Sequence, residues 1–252
     1  MITFVLASRF LTANMGLRGS LGTVFVLCLL AFGHRSVEGN KVDVNTLAHI
    51  IQFFNNNYQK VEESGAVRQF AAAINVPKEQ CQKDFVPDQN NFLKNEAAAD
   101  NVKNRIYDEN VALYQGSELI AAGILNRGKY NRHSESILMN PPETSPMANL
   151  LNKKKDGCVV FYTYNSPCVD TCLNETKSNV NILNMLEIWK KHKGLKAFAY
   201  KDIWKFDKEK NLKEQFKVIT RNVPLYRCVS TETCYDCVQG DTIAENCVKD
   251  NN

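Results

Sequence analysis

The sequence is poor in glycine and proline, carries a small net charge and contains no apolar run of membrane-spanning length. Among its 252 residues are 12 glycines and 7 prolines, and its formal net charge at pH 7 is +4. Its clearest apolar run, residues 21–32, has 12 residues, whereas a helix that crosses a bilayer needs about 20. With 44% hydrophobic and 23% charged residues, the chain is predicted to be globular. So weak a net charge does not by itself indicate a nucleic-acid partner.

The apolar run has the features of a secretory signal peptide. Arg9 and Arg18 precede it, and small residues follow it. Residues 31–33 and 37–39 both fit a small-residue cleavage pattern, and we predict a signal peptide of residues 1–39 that is cleaved at the second. An uncleaved anchor is the alternative. Because residues 1–39 contain three arginines and one glutamate, cleavage would lower the net charge from +4 to +2. It would leave a secreted protein with no stable membrane association.

One histidine, one glutamate and two cysteines form the most informative motif. His133 and Glu135 are followed along the chain by Pro167-Cys168 and then by Cys172. One imidazole and two thiolates are three zinc ligands, and three protein ligands leave a fourth position for water, as in catalytic zinc sites. The pattern H-x-E…P-C-x-x-C is typical of zinc-dependent nucleobase deaminases. This chain departs from it by having three residues between the cysteines.

The motif predicts a catalytic zinc site with Glu135 as the residue that moves protons. We expect Pro167 to open a helix that carries Cys168 and Cys172 on one face, one turn apart. A helix N-terminus would also lower the pKa of both thiols. The alternative is that these cysteines form disulfides with other cysteines.

The other cysteines are consistent with an oxidising compartment. Cys28 lies in the predicted signal peptide, and six cysteines remain after the proposed ligands are set aside. They allow up to three disulfides, with 15 possible pairings, and are Cys81, Cys158, Cys228, Cys234, Cys237 and Cys247. Asn174 begins the sequon Asn174-Glu175-Thr176 and is a candidate glycosylation site.

Hydrophobic periodicity predicts alternating helices and strands. The predicted helices cover residues 44–61, a segment from His133 to about 141 that resumes at 146–151, a segment after Pro167, and residues around 212–219. The predicted strands cover residues 67–76, 111–125 (one or two strands), 158–164, 195–200 and 223–229. Residues 77–108 are predicted to be an irregular insertion held by Cys81. This order favours a sheet covered by helices, with parallel strands wherever a helix intervenes.

Lysines are clustered at residues 153–155, 190–193 and 196–213. A solvated face and a binding surface are equally good interpretations of such clusters.

Three segments carry a resemblance to a known family. They resemble segments of the AID/APOBEC-like polynucleotide cytidine deaminases. Residues 128–135 resemble the family's loop before the zinc helix, and residues 161–168 resemble its strand that leads to the first cysteine. Residues 199–207 resemble its aromatic substrate loop. Residues 223–238 resemble the family's last strand and closing helix. The resemblance covers residues 111–238 and extends more weakly from residue 44. The signal peptide and extra cysteines point to a secreted branch, which implies a role in immune defence.

The resemblance implies a cytidine-deaminase-like α/β fold, a three-layer α/β/α arrangement with a five-stranded mixed sheet whose last strands are parallel. Residues 111–238 would be the deaminase core. Residues 40–110 would supply the N-terminal helix, first strand and insertion, and residues 239–252 a cysteine-containing tail, so that residues 40–252 form one domain. The substrate contacts it implies are Asn126 to sugar, Tyr130 for stacking, Arg132 and Lys201 to phosphate, the Ser166 carbonyl to the base amine, and Trp204 and Phe206 to neighbouring bases. Asn165 stands where the family has a base-stacking tryptophan, and Tyr164 is an alternative stacking partner.

The predicted function is therefore a secreted hydrolase of cyclic amidine C–N bonds that uses Zn²⁺ and converts cytosine to uracil in single-stranded DNA or RNA. Three alternatives stay open: a deaminase of free cytidine or its nucleotides, an inactive zinc-containing nucleic-acid-binding module, and a disulfide-held protein without metal. The sequence makes no prediction of the oligomeric state.

Overall fold

The computed structural model describes residues 41–128 and 130–250. The predicted signal peptide lies outside these residues. Within them, no helix combines the length and apolar character needed to cross a membrane.

A mixed sheet forms the centre of the described protein. Its strand order is β2-β3-β1-β6-β7-β8-β9, and two short ribbons, β4–β5 and β10–β11, lie outside it. The strands are β1 (Ala71–Val76), β2 (Leu113–Gln115), β3 (Leu119–Ala122), β4 (Leu125–Asn126), β5 (Asn131–Arg132), β6 (Cys158–Asn165), β7 (Leu195–Asp202), β8 (Leu225–Cys228), β9 (Cys234–Asp236), β10 (Val238–Gln239) and β11 (Thr242–Ile243).

In the part of the chain that the structure describes, six α-helices cover the two faces of this sheet. They are α1 (Val44–Tyr58), α2 (Ala99–Ile106), α3 (Ser134–Met139), α4 (Pro146–Lys153), α5 (Leu183–Lys190) and α6 (Leu212–Thr220). Apolar residues of α3 to α6 pack on one face, and those of α1 and α2 pack on the other. The predicted three-layer α/β/α arrangement is confirmed.

The central strands are apolar on both sides because both faces are covered. In β6, Val159 and Phe161 face one hydrophobic cluster, and Val160 and Tyr162 face the other. The β6–β7 and β7–β8 pairs are parallel, since α5 and α6 return the chain to the same end of the sheet. Thr163 is buried at the C-terminal end of β6, which is where the candidate site lies.

The sheet has seven strands, and the expectation of five is wrong. The turn at Gly116-Ser117 lets β2 pair with β3 as a hairpin at one edge. At the other edge, β9 pairs antiparallel with β8, and Cys234 lies opposite Cys228. The closing helix that the resemblance implies at this position is therefore absent. The backbone of residues 234–236 is extended because it continues the ladder of β8.

Two other expectations about local structure need correction. The insertion 77–108 contains α2, which has Asp100 in its first turn and buries Val102 and Ile106. No helix begins at Pro167, and the next helix after it is α5, which starts at Leu183. Residues 169–173 form turns instead, because the β-branched and Asp residues at 169–171 are weak helix formers.

The six remaining cysteines form three disulfides, Cys81–Cys158, Cys228–Cys234 and Cys237–Cys247. The first ties the insertion to the start of β6, and the other two hold the C-terminal segment. Cys168 and Cys172 stay unpaired within the described residues. The alternative that these two cysteines are disulfide partners is therefore wrong in this structure.

Candidate active site

His133, Cys168 and Cys172 converge at the C-terminal end of β6. The Nδ1 atom of His133 lies 3.5 Å from the Cys168 sulfur and 3.4 Å from the Cys172 sulfur. The two sulfurs are 3.5 Å apart. Across residues 41–128 and 130–250, no other group of three His, Cys, Asp or Glu side chains is close enough to hold a metal ion.

These distances fit zinc. Tetrahedral bonds of about 2.3 Å to sulfur and about 2.0 Å to nitrogen place two sulfurs about 3.8 Å apart and a sulfur and a nitrogen about 3.5 Å apart. The three ligand atoms therefore lie within a few tenths of an ångström of the separations that one zinc ion requires, and the donor set of two sulfurs and one imidazole is one that zinc prefers.

The two cysteines are held by a turn and not by a helix. The N–H of Cys172 donates to the Cys168 sulfur over 3.4 Å, and the N–H of Leu173 donates to the Cys168 carbonyl over 3.1 Å. The buried carboxylate of Asp207 accepts from the N–H of Val169 over 2.8 Å and pairs with Lys210. The loop after β7 thus braces the residue next to a proposed ligand.

The close approach of the two sulfurs separates their acidities. The hydrogen bond between the sulfurs and, to a smaller extent, His133 outweigh the effect of burial and together lower the pKa of Cys168 to about 4. The same hydrogen bond, together with burial, raises the pKa of Cys172 well above its usual value. Cys168 is therefore the more readily ionised thiol, and a thiolate is the form that binds a metal.

Glu135 is the second residue of α3 and is 3% exposed. Its Oε1 accepts hydrogen bonds from Thr163 Oγ1 at 2.7 Å and from Gln69 Nε2 at 3.3 Å, and its Oε2 accepts one from Ser134 Oγ at 3.1 Å. Burial raises the pKa of this carboxyl group, because an apolar surrounding disfavours the charged form. Such a carboxyl group is suited to exchanging protons near neutral pH.

A pocket of about 50 Å³ opens beside Glu135. It is lined by Gln69, Ile124, His133, Glu135, Asn165, Ser166, Cys168 and Trp204. The Ser166 hydroxyl accepts from the N–H of Trp204 over 3.0 Å, and the N–H of Ser166 donates to the Asp202 carbonyl over 2.7 Å. Ser166 therefore ties the end of β6 to the loop that carries the aromatic residues.

Trp204, which lines this pocket, forms an aromatic pair with Phe206. Their ring centroids are 5.3 Å apart in an edge-to-face arrangement. Trp204 is partly buried, whereas Phe206 is 67% exposed. The Lys205 ammonium lies 4.8 Å from the centre of the Phe206 ring. An exposed aromatic edge beside a cation can accept a base and its phosphate.

The sequence that forms this site matches a known protein family. A family model described as Secreted Novel AID/APOBEC-like Deaminase 1 matches residues 44–251. The chain belongs to this family. Neither the curated proteins nor the solved structures gave a significant match. The family match spans α1 and the whole sheet, so it includes the described site.

The remaining residues predicted to contact substrate lie outside the small pocket of this deaminase-family protein. Asn126 is exposed, and its Oδ1 accepts from the N–H of Gly128 over 2.8 Å. Tyr130 is 66% exposed. Tyr130 and Arg132 line a larger cleft of about 380 Å³ on another side of His133.

Arg132 is committed in part to the fold. Its Nη2 donates to the carbonyls of Ser136 and Asn140 over 3.2 and 3.0 Å, at the C-terminal end of α3. The predicted phosphate contact would have to use its other nitrogens. Lys201 lies 5.7 Å from the ring centre of Tyr164. Its phosphate contact also stays a prediction.

Asn174 lies two residues after Cys172 in the turn segment. Its Oδ1 accepts from the N–H and the hydroxyl of Thr176, at 2.9 and 2.7 Å. Glycosylation at Asn174 stays a prediction.

Four residues of the site were not predicted from the sequence: Gln69, Ile124, Thr163 and Asp207. Thr163 carries a signal in retrospect, since it is a polar residue within an otherwise apolar and aromatic run. Gln69 Oε1 accepts from the N–H and the side chain of Asn165, at 2.9 and 2.8 Å. Asn165 therefore faces this glutamine.

Proposed function

We propose that the protein is a secreted, zinc-dependent deaminase that converts cytosine to uracil in single-stranded DNA or RNA. One observation carries the proposal: three zinc-type ligands lie together, and two of them, His133 and Cys168, line a common pocket with the buried Glu135. The aromatic loop borders this pocket. The family match supports a deaminase as the broader class.

His133, Cys168 and Cys172 would hold the zinc ion. When bound, zinc lowers the pKa of a coordinated water to about 7 and so supplies a nucleophile near neutral pH. The ligand distances given above support this role.

Glu135 would carry the protons of the reaction. Replacing the amine at C4 of cytosine by oxygen consumes one water and releases one ammonia. Glu135 would take one proton from the water and place it on N3 of the base. It would then take the second proton of the former water from the hydroxyl group on C4 and give it to the amine, which leaves as ammonia while the oxygen stays on C4. General acid–base catalysis of this kind is worth about 10² to 10⁴ in rate. The contacts from Thr163, Gln69 and Ser134 would keep the carboxylate in place for each transfer.

The residues around the pocket would bind a single strand. Trp204 and Phe206 would stack on bases, each worth about 1–3 kcal/mol. The Ser166 carbonyl would accept from the amine of the target base, and Asn126, Tyr130, Arg132 and Lys201 would contact neighbouring nucleotides. The exposed aromatic surface of Phe206 favours a polymer over free cytidine, because a nucleoside would not reach it.

An extracellular location is part of the proposal. Three disulfides support an oxidising compartment, and the family description names secretion. Among targets, we favour nucleic acid of a pathogen, which would make the protein part of immune defence.

The test measures deamination by the protein that comprises residues 40–252, loaded with zinc. The wild type, Glu135→Gln and the control Glu143→Gln, which alters an exposed glutamate, are incubated with single-stranded DNA, single-stranded RNA, duplex DNA and cytidine. We expect uracil in a single-stranded substrate from the wild type and the control, and at least 10²-fold less from Glu135→Gln with unchanged zinc content.

Two outcomes would contradict the proposal. Product from cytidine alone would identify a nucleoside deaminase. Absence of product from every substrate, with zinc bound and single strands bound, would identify a binding module.

A further inference from the structure

Two lysine runs, residues 153–155 and 190–193, form one basic surface that the proposed reaction does not use. The first run ends α4 and the second ends α5. We call the exposed surface of these two segments the lysine face. It lies at the N-terminal ends of β6 and β7, whereas the candidate active site lies at their C-terminal ends.

The sheet brings the two runs together. Strands β6 and β7 are parallel, with Cys158 opposite Leu195, so the loops that enter them are neighbours. Their backbones touch: a Cβ added to Gly194 would lie 1.6 Å from the carbonyl oxygen of Gly157. The ring Nε2 of His192 also donates to this carbonyl over 3.0 Å. The backbone segments that carry the lysines are therefore held next to each other.

The lysine face carries a strong excess of positive charge. Its six lysines are Lys153, Lys154, Lys155, Lys190, Lys191 and Lys193, and the carboxylates in the same stretch are Asp156 and Glu187. All of these lysines except Lys154 are exposed, and Lys154 pairs with Glu118 at 3.5 Å. A groove of about 350 Å³ runs between Lys155 on one segment and Lys191 and Lys193 on the other.

Helix capping does not account for these charges. Cations near a helix C-terminus are worth about 0.3–1 kcal/mol, and the effect fades beyond the last turn. At the end of α5 the buried Lys196 already fills this role, since its ammonium donates to the carbonyls of Lys190 and His192 over 2.9 and 2.8 Å. Lys191 and Lys193 follow α5, and Lys155 follows α4.

The lysine face suits a polyanion without bases. Neither segment contains Phe, Tyr or Trp. The adjacent Trp189 and the imidazole of His192 are both buried, so a base would find no exposed ring to stack on. The exposed Phe206 follows the C-terminal end of β7, at the opposite end of the sheet. Strand β6 alone separates the two ends by about 23 Å, at about 3.3 Å per residue. Lysine-rich segments are known to bind heparin-like chains as well as nucleic acid, and the absence of an exposed ring favours the former.

We propose that the lysine face binds a linear sulfated polysaccharide of the cell surface and leaves the active site open. The inference rests on the extracellular location proposed above. Binding through sulfate groups and lysines releases counterions and is therefore sensitive to salt.

The test compares two triple variants in binding to a heparin decasaccharide and to an oligo-dT of matched charge. Lys155→Ala/Lys191→Ala/Lys193→Ala removes three charges from the lysine face. Lys83→Ala/Lys94→Ala/Arg105→Ala removes three exposed charges from elsewhere. At about 0.15 M salt we expect the first variant to bind the decasaccharide at least tenfold more weakly, with a salt dependence reduced by about two to three ions. The control should change less than twofold, and oligo-dT binding should be unaffected in both.

Three results would overturn the inference. They are no binding of the decasaccharide by the wild type, equal weakening in both variants, and equal loss of oligo-dT binding in the lysine-face variant, which would make this a nucleic-acid surface. Deamination measured in parallel separates the two proposals, because a failure of polysaccharide binding with normal uracil formation leaves the proposed function intact.

Discussion

The Thr163 hydroxyl donates to Oε1 of Glu135 over 2.7 Å, and both side chains are buried. Thr163 also accepts from Gln69 Nε2 at 2.7 Å. The proposed proton carrier is thus held from the end of β6, the same strand that leads to Cys168. This contact fixes the carboxylate relative to the metal ligands.

Loss of the Thr163 hydroxyl should slow turnover without loss of metal. Thr163→Val keeps the shape and removes the donor, so the carboxylate loses its shortest contact. We expect kcat to fall about 10- to 100-fold, as for other groups that orient a site, while KM and zinc content stay the same. Thr163→Ser keeps the hydroxyl and should restore most of the activity. If Thr163→Ser is as impaired as Thr163→Val, the role of Thr163 is packing and not orientation.

Both Cys168 and Cys172 should be required for metal binding. Cys168→Ser and Cys172→Ser leave two ligands, so we expect zinc to fall from about one ion per chain to a small fraction of that. Elemental analysis of the purified protein measures it. The control Cys228→Ala/Cys234→Ala removes two sulfurs that lie outside the cluster, and it should keep its zinc. Zinc retained in both single variants would exclude the assigned ligands.

The three disulfides should differ in their contribution to stability. Cys81 and Cys158 are 77 residues apart, whereas Cys228 and Cys234 are 6 apart. Because a longer closed loop restricts the unfolded chain more, removing the first should cost about 4 kcal/mol and removing the second about 2 kcal/mol. Urea unfolding of the Cys81→Ala/Cys158→Ala and Cys228→Ala/Cys234→Ala variants measures the difference. Equal losses would mean that residual structure in the unfolded chain, and not loop length, determines how much each disulfide contributes to the free energy of unfolding.

Trp204 should matter for a polymer more than for a nucleoside. Trp204→Ala removes a ring that borders the pocket. Because base stacking is worth about 1–3 kcal/mol, we expect the KM for an oligonucleotide to rise about 5- to 150-fold. Phe206→Ala, which removes the more exposed ring, is the comparison and should show an effect of the same sign. Zinc content should be unchanged. A parallel loss of zinc and activity in Trp204→Ala would show that the ring supports the fold.

The three residues predicted to bind zinc lie together in the structure, but the local structure around the two cysteines differs from the prediction. His133 does precede a helix, and Cys168 does follow a buried strand. The helix expected at Pro167 is absent, since a four-residue spacing fits a turn as well as a helical face. The contacts that hold Glu135 could not be predicted, because Gln69 and Thr163 are 66 and 28 residues away from it in the chain.

The sequence by itself determined most of the order of helices and strands, the two-sided burial of β6 and the His, Glu and Cys positions that are proposed to bind zinc and to move protons. These features depend on residue type and on near neighbours along the chain. The tertiary structure alone decided which cysteines pair, that Gln69 reaches Glu135, and that two lysine runs 35 residues apart form one surface. Each of these depends on the order of strands in the sheet, which brings distant segments together through long-range packing that no local pattern encodes.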